Sequence, residues 1–164
     1  MNMKDIIVIS RREAERFSPE DPIAVISIRC PWDSRVKFNK PVPSVLHLEF
    51  HDITGVQYDK ILESRETSRP TTTTRRCRFA LKLVLFDRRH AAEILDFVDT
   101  CLELGYDRFM VHCAAGISRS PGVAVALQEI YMGIKDVPTR WNLYNRTVYS
   151  EIMKEWADRQ ELLG

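Results

Sequence analysis

Four cysteines in 164 residues, Cys30, Cys77, Cys101 and Cys113, show no paired spacing, which excludes a structural zinc centre and a disulfide scaffold as the basis of the fold. No metal or other cofactor is expected. A formal net charge of +1 gives no global signal for nucleic acid, so nucleic acid is not expected as a partner and any electrostatic role must come from local clustering. No apolar run is long enough to cross a membrane, and the first one, Ile6 to Ile9, is too short for a signal peptide. A soluble, cytoplasmic protein with no membrane partner is the expectation, and a reducing compartment suits a free thiol. There is no internal repeat. With 45% hydrophobic residues, the chain can bury one substantial core, so residues 1–164 are expected to form a single domain.

What is present is a βαβ pattern interrupted by a basic insertion. Ile6 to Ser10, Ile23 to Arg29, Val45 to Phe50 and Arg108 to His112 are short, β-branched-rich runs of the kind that form buried strands. Helical spacing of apolar residues predicts helices over 88–104, 120–132 and 145–162, the first two closed by Gly105 and Gly133 and the last turning Val148, Ile152, Trp156 and Leu163 inward. This order predicts an α/β fold with a mainly parallel sheet of four or five strands flanked by helices. The 34 residues from Ile53 to Phe86 exceed the usual connection of about 4–6. A helix is expected at Gln57 to Glu66, a turn at Ser68 to Thr74 and an extra strand at Cys77 to Phe86. Between Arg65 and Arg89 eight cations face only Glu66 and Asp87, a local +6 that suits either an acidic partner or a solvated hairpin.

The chemistry is concentrated in Val-His-Cys-Ala-Ala-Gly-Ile-Ser-Arg-Ser-Pro, residues 111–121. Cys113 ends a predicted strand, and the loop after it feeds a helix start, where amide dipoles favour a thiolate and can bind a phosphate dianion. Ala114, Ala115, Gly116, Ile117, Ser118 and Arg119 supply the amides of such a cup, and the planar fork of Arg119 can hold two phosphate oxygens. Gly116 permits backbone angles that a β-carbon resists. Ser120 is placed to cap the helix and to donate to the sulfur, and Pro121 suits the first turn.

This loop resembles the signature of cysteine-dependent protein phosphatases, most closely the dual-specificity pattern His-Cys-x-x-Gly-x-Ser-Arg-Ser. The resemblance implies a phosphatase-like three-layer sandwich and hydrolysis of phosphomonoesters on protein through a phosphocysteine at Cys113. It implies that Arg119 and the loop amides hold the phosphoryl oxygens, that His112 orients the loop and stabilises the thiolate, and that a carboxylic acid protonates the leaving oxygen. The expected partner is then a phosphorylated protein or peptide.

Three aspartates compete for that acid. Asp52, after the third strand, is favoured. Asp87, just before the 88–104 helix, is better explained as its N-cap, and Asp33 as a turn residue. His51 reads as a solvated loop residue, and Trp32, Trp141 and Trp156 as packing residues. Ala114, Ala115, Ile117 and Ser118 put no lysine in the loop, which disfavours polyphosphorylated head groups. The absence of a pocket-deepening Asn-Arg-Tyr element implies a shallow site open to phosphotyrosine and to phosphoserine or phosphothreonine, since Asn145-Arg146 lies elsewhere. Three alternatives stay open: a phosphate-reading module without turnover, a phosphatase acting on RNA 5′-phosphates or a lipid, and oxyanion reduction with Cys30, Cys77 or Cys101 as partner thiol. Any of those three cysteines is also a candidate to form a protective disulfide with oxidised Cys113.

Overall fold

The computed structural model describes residues 2–67 and 83–164. Strands β1 (Asp5–Ser10), β2 (Ala24–Arg29), β3 (Ser44–Glu49) and β4 (Arg108–Cys113) form one sheet in the order β1-β4-β2-β3, and every pairing is parallel. The helices are α1 (Arg11–Arg16), α2 (Gly55–Thr67), α3 (Arg88–Glu103), α4 (Arg119–Met132) and α5 (Arg146–Leu163), with a 3₁₀ turn at Thr139–Trp141. The fold is therefore the α/β parallel sandwich expected, with four strands among the described residues. Leu83 to Phe86, the described end of the segment expected as an extra strand, is not strand, and Ser68 to Thr74 with Cys77 and most of the basic cluster lie outside the described residues.

Alternation along the strands sorts the core into two layers. Ile6, Ala24, Ile26, Ile28, Leu48, Phe109 and Val111 point to one face and pack with Ile94, Leu95, Val98, Leu127, Val148 and Ile152 from α3, α4 and α5. Their neighbours Val25 and Met110 point to the other face, which is covered by Ala14 of α1, Ile23, and Val36 of the β2–β3 connection. Each fully buried Leu, Ile or Phe contributes about 1.5–3 kcal/mol relative to exposure, so the larger layer dominates stability. Leu163 departs from the expected inward face of α5 and is 83% exposed, because the helix outruns the layer it packs on.

The helix termini follow their sequence signals. Asp87 caps α3 by accepting from the amides of Arg89 and His90. Gly133 ends α4 at φ 68° and Gly105 follows α3 at φ 92°, both left-handed. Ser10 and Glu13 form a capping box that starts α1, a six-residue helix absent from the expectation although the Ser-x-x-Glu signal is there.

Two close approaches bring α4 to its place. A β-carbon on Gly116, at φ +73°, would stand 2.9 Å from the Ile9 carbonyl carbon and oxygen, so the loop after β4 rests directly on the β1 backbone. A β-carbon on Gly122 would stand 2.8 Å from the Asn145 carbonyl oxygen and 3.1 Å from Val148 Cβ, so α4 meets the start of α5 without a side chain between them. Alanine normally gains about 1 kcal/mol over glycine inside a helix. Here Gly122→Ala is expected to destabilise by about 1–3 kcal/mol, as overpacking does, and chemical denaturation reads the sign directly.

Candidate active site

All four strands run the same way, so the ends of β2, β3 and β4 open on one edge, where ligands of parallel sheets bind. Cys113 is the last residue of the central strand and is 3% exposed. Its Sγ accepts from the Gly116 amide at 3.2 Å and from Ser120 Oγ at 3.1 Å. Both donors point at the sulfur. Ser120 lies inside α4, so it does not cap the helix as expected. Ser118 takes the N-cap position without a side-chain cap bond, because its hydroxyl is committed elsewhere.

Arg119 opens α4 and is only 4% exposed. Its Nη1 donates to the Phe50 carbonyl at 2.9 Å and lies 3.4 Å from Cys30 Sγ. No carboxylate pairs with it among the described residues, and its Nε is buried without a partner. Phe50 thus pins one side of the guanidinium and leaves the Nε–Nη2 edge, the two-donor edge that matches an oxyanion, unengaged. A buried cation without a counter-charge carries a desolvation cost of several kcal/mol, which an anion in the loop would offset. Ala114, Ala115 and Ile117 on the rim are exposed and uncharged.

Asp52 meets this loop from the end of β3. Its Oδ1 accepts from Ser118 Oγ at 2.7 Å and from Asn145 Nδ2 at 3.1 Å, and Oδ2 has no partner among the described residues. The structure therefore brings Asp52 to the loop and leaves Asp87 on the N-cap of α3 and Asp33 in a turn whose amide bonds the Cys30 carbonyl at 3.0 Å. Asn145, which the sequence sets aside with Arg146 as lying elsewhere, is brought to this loop. Buried and ahead of α5, it caps that helix through Thr147 and Val148, donates its amide N–H to the Ser118 carbonyl at 2.9 Å, and holds Asp52 and the Ile53 carbonyl with Nδ2. Asparagine before an amphipathic run signals a cap; its reach to a residue 93 positions away leaves no trace in the sequence.

Two residues exchange the surroundings expected for them. His51 is 7% exposed rather than solvated, because its ring and main chain both bond Val84. Trp32 is 61% exposed rather than packed inside, with its ring against that of His51, centroids 4.6 Å apart. Trp141 is buried and Trp156 packs against Tyr131. Among the other cysteines, Cys30 touches the site through Arg119, Cys101 is buried in the core of α3, and Cys77 lies outside the described residues. Among the described residues no three His, Cys, Asp or Glu side chains are grouped to hold a metal ion, and no helix is long and apolar enough to cross a membrane.

No protein-family profile matches the chain, and no curated protein matches it in sequence. Among solved structures it is similar to the human tyrosine phosphatase-like serine/threonine/tyrosine-interacting protein, with a TM-score of 0.51 and 19% identity over 85% of this chain and 80% of that one. A structure titled Tk-PTP in the active form also matches, with a TM-score of 0.41 and 14% identity over 94% of this chain and 80% of that chain. The chain has the tyrosine-phosphatase-like fold.

Within this phosphatase-like fold His112 is buried at the end of the central strand. Its Nε2 is 2.8 Å from Ser27 Oγ and its Nδ1 is 3.4 Å from the Cys113 carbonyl oxygen. Burial depresses its pKa from 6.5 to about 4, so at neutral pH the ring is uncharged. The unfolded chain binds this proton below pH 6.5 and the folded chain only below about 4, so stability falls as pH drops through that window. The shift corresponds to about 3 kcal/mol. Denaturation curves from pH 7 to 4 are expected to show this loss, and His112→Gln, which retains a polar reach toward Ser27, is expected to flatten it.

Proposed function

We propose that the chain hydrolyses phosphomonoesters on proteins through a phosphocysteine intermediate. The observation that carries the reading is a buried Arg119 that, among the described residues, has no carboxylate partner and an unengaged two-donor edge, in the same loop as a doubly hydrogen-bonded Cys113 thiol. The anion-shaped deficit and the nucleophile share one cup, which a merely structural cysteine and a surface arginine would not do.

In the first step Cys113 sulfur attacks phosphorus and the ester P–O bond breaks. The phosphoryl oxygens lie on the loop amides of Ala114 to Arg119 and on the free edge of the guanidinium. The leaving oxygen takes a proton from Asp52, whose unpartnered Oδ2 is the atom to carry it while Ser118 and Asn145 hold Oδ1. In the second step water attacks the phosphocysteine, gives its proton to Asp52, and the S–P bond breaks. Ser120 Oγ–H stabilises the departing thiolate. No metal enters either step. The uncharged rim of Ala114, Ala115 and Ile117 suits a single phosphoryl group on phosphotyrosine, phosphoserine or phosphothreonine, and disfavours polyphosphorylated lipids and nucleic acid ends.

Hydrolysis of phenyl phosphate, whose poor leaving group needs an acid, tests the assignment across pH. Cys113→Ser is expected to abolish turnover. Asp52→Asn is expected to lower kcat about 10²–10⁴-fold and to remove the alkaline fall of the profile. Asp87→Ala is expected to keep turnover and to lose about 1 kcal/mol of stability with its cap. Loss of the alkaline fall in Asp87→Ala but not in Asp52→Asn would reverse the roles of the two residues. A wild-type protein that binds phosphopeptide without any turnover would instead be a phosphate-reading module.

A further inference from the structure

The β2–β3 connection brings a second set of groups to the rim, and none of the steps above uses them. Cys30 Sγ lies 3.4 Å from Arg119 Nη1, and two residues later Trp32 presents an indole that is 61% exposed. That ring is held against His51 at 4.6 Å with an interplanar angle of 56°. His51 in turn sits between two residues that touch the loop: Phe50, whose carbonyl binds Arg119 at 2.9 Å, and Asp52, whose carboxylate binds Ser118 at 2.7 Å. The segments 30–32 and 50–52 therefore converge beside Arg119, and Trp32 is their exposed crest. An aromatic of that size with 61% of its surface in water leaves most of its area unburied in the free protein.

His51 supplies an independent sign that something is missing from this wall. Its Nδ1 accepts from the Val84 amide at 2.9 Å, while the Val84 carbonyl is already satisfied by the His51 amide at 2.8 Å. Nδ1 also lies 3.2 Å from the Val84 carbonyl oxygen, but the shorter bond from the Val84 amide needs an unprotonated Nδ1 and assigns the ring to the Nε2–H tautomer. Nε2 is buried and has no acceptor among the described residues. A buried donor left unsatisfied costs about 1–3 kcal/mol, and an oxygen of a bound substrate would remove that cost.

We propose that Trp32, seated on His51, is the specificity-determining wall of the site, and that it selects phosphotyrosine over phosphothreonine and phosphoserine by lying along the phenyl ring that carries the phosphate. The proposal rests on the phosphatase reading for the location of the phosphate. An offset or edge-on aromatic pair adds to burial a contact that an alkyl phosphate does not make. The wall is contributed by the β2–β3 connection, so it serves where the sequence offers no pocket-deepening Asn-Arg-Tyr element.

Calorimetry with Cys113→Ser protein and one peptide phosphorylated on either tyrosine or threonine at the same position tests the wall without requiring turnover. The phosphotyrosine form is expected to bind about 5–10-fold more tightly, the scale of one aromatic pair. Adding Trp32→Ala is expected to bring that ratio to about 1, and Trp32→Phe to retain most of it. Because the ratio is taken within one protein, partial unfolding of a variant does not mimic the effect. A ratio that Trp32→Ala leaves unchanged, or a wild-type ratio near 1, overturns the proposal. Wild-type protein that fails to hydrolyse either peptide while the ratio and its loss persist would sink the phosphatase reading and leave the wall standing.

Discussion

A guanidinium withdrawn from water with no carboxylate beside it among the described residues is the constraint around which this molecule is arranged. Arg119 could be stabilised by any nearby aspartate, yet the fold gives it a main-chain oxygen, that of Phe50, and a thiol, that of Cys30. The consequence is directional. A carbonyl fixes where the guanidinium points but leaves its charge unneutralised, whereas a carboxylate would fix and neutralise it together. Three strand ends must be in register for this to happen: β4 delivers the loop, β3 delivers Phe50 and β2 delivers Cys30. Parallel pairing aligns those ends on one edge, with Arg29 opposite Glu49 and Ser27 opposite His112.

The architecture was legible because it rests on repeated signals. Each strand is a short run rich in apolar residues, and each of the long helices α3 and α4 ends at a glycine that the structure places in the left-handed region. The loop from Cys113 to Arg119 was legible for a different reason: a nucleophile, a glycine and a cation at fixed spacing ahead of a helix leave few other uses. What was not legible are single contacts across long sequence separations. His51 is buried by its bonds to Val84, 33 residues away, and a histidine between Phe50 and Asp52 carries no local mark of that. Trp32 reads as core because tryptophan usually is, and only the neighbouring strand ends show that it stands at the rim. The helix α1 is a different case, since Ser10 and Glu13 do carry its signal, but six residues with one buried alanine give no periodicity to confirm it.

Asn145 shows how the two sides of the site are kept in step. One amide group serves a helix terminus with its oxygen and the Asp52 carboxylate with its nitrogen, while its own main chain is bonded to Ser118. The same Ser118 sends its hydroxyl to Asp52. Loop, carboxylate and α5 are thus closed into a ring of hydrogen bonds, and each member limits the others. Gly122 is part of that geometry, because α5 can approach Asn145's partners only where α4 carries no side chain.

The contact of Gly116 with the backbone of Ile9 divides the Cys113–Arg119 loop into two kinds of position. Where the loop lies on β1 no side chain fits, so that point is closed to variation whatever the ligand. Ala114, Ala115 and Ile117 face outward, bear no hydrogen bond from their side chains and have room around them. Replacement at those three alters the charge and bulk that an approaching molecule meets while the course of the backbone stays set by glycine. Selectivity and shape are in this way encoded by different residues of one seven-residue stretch, and a redesign of the first can proceed without reopening the second.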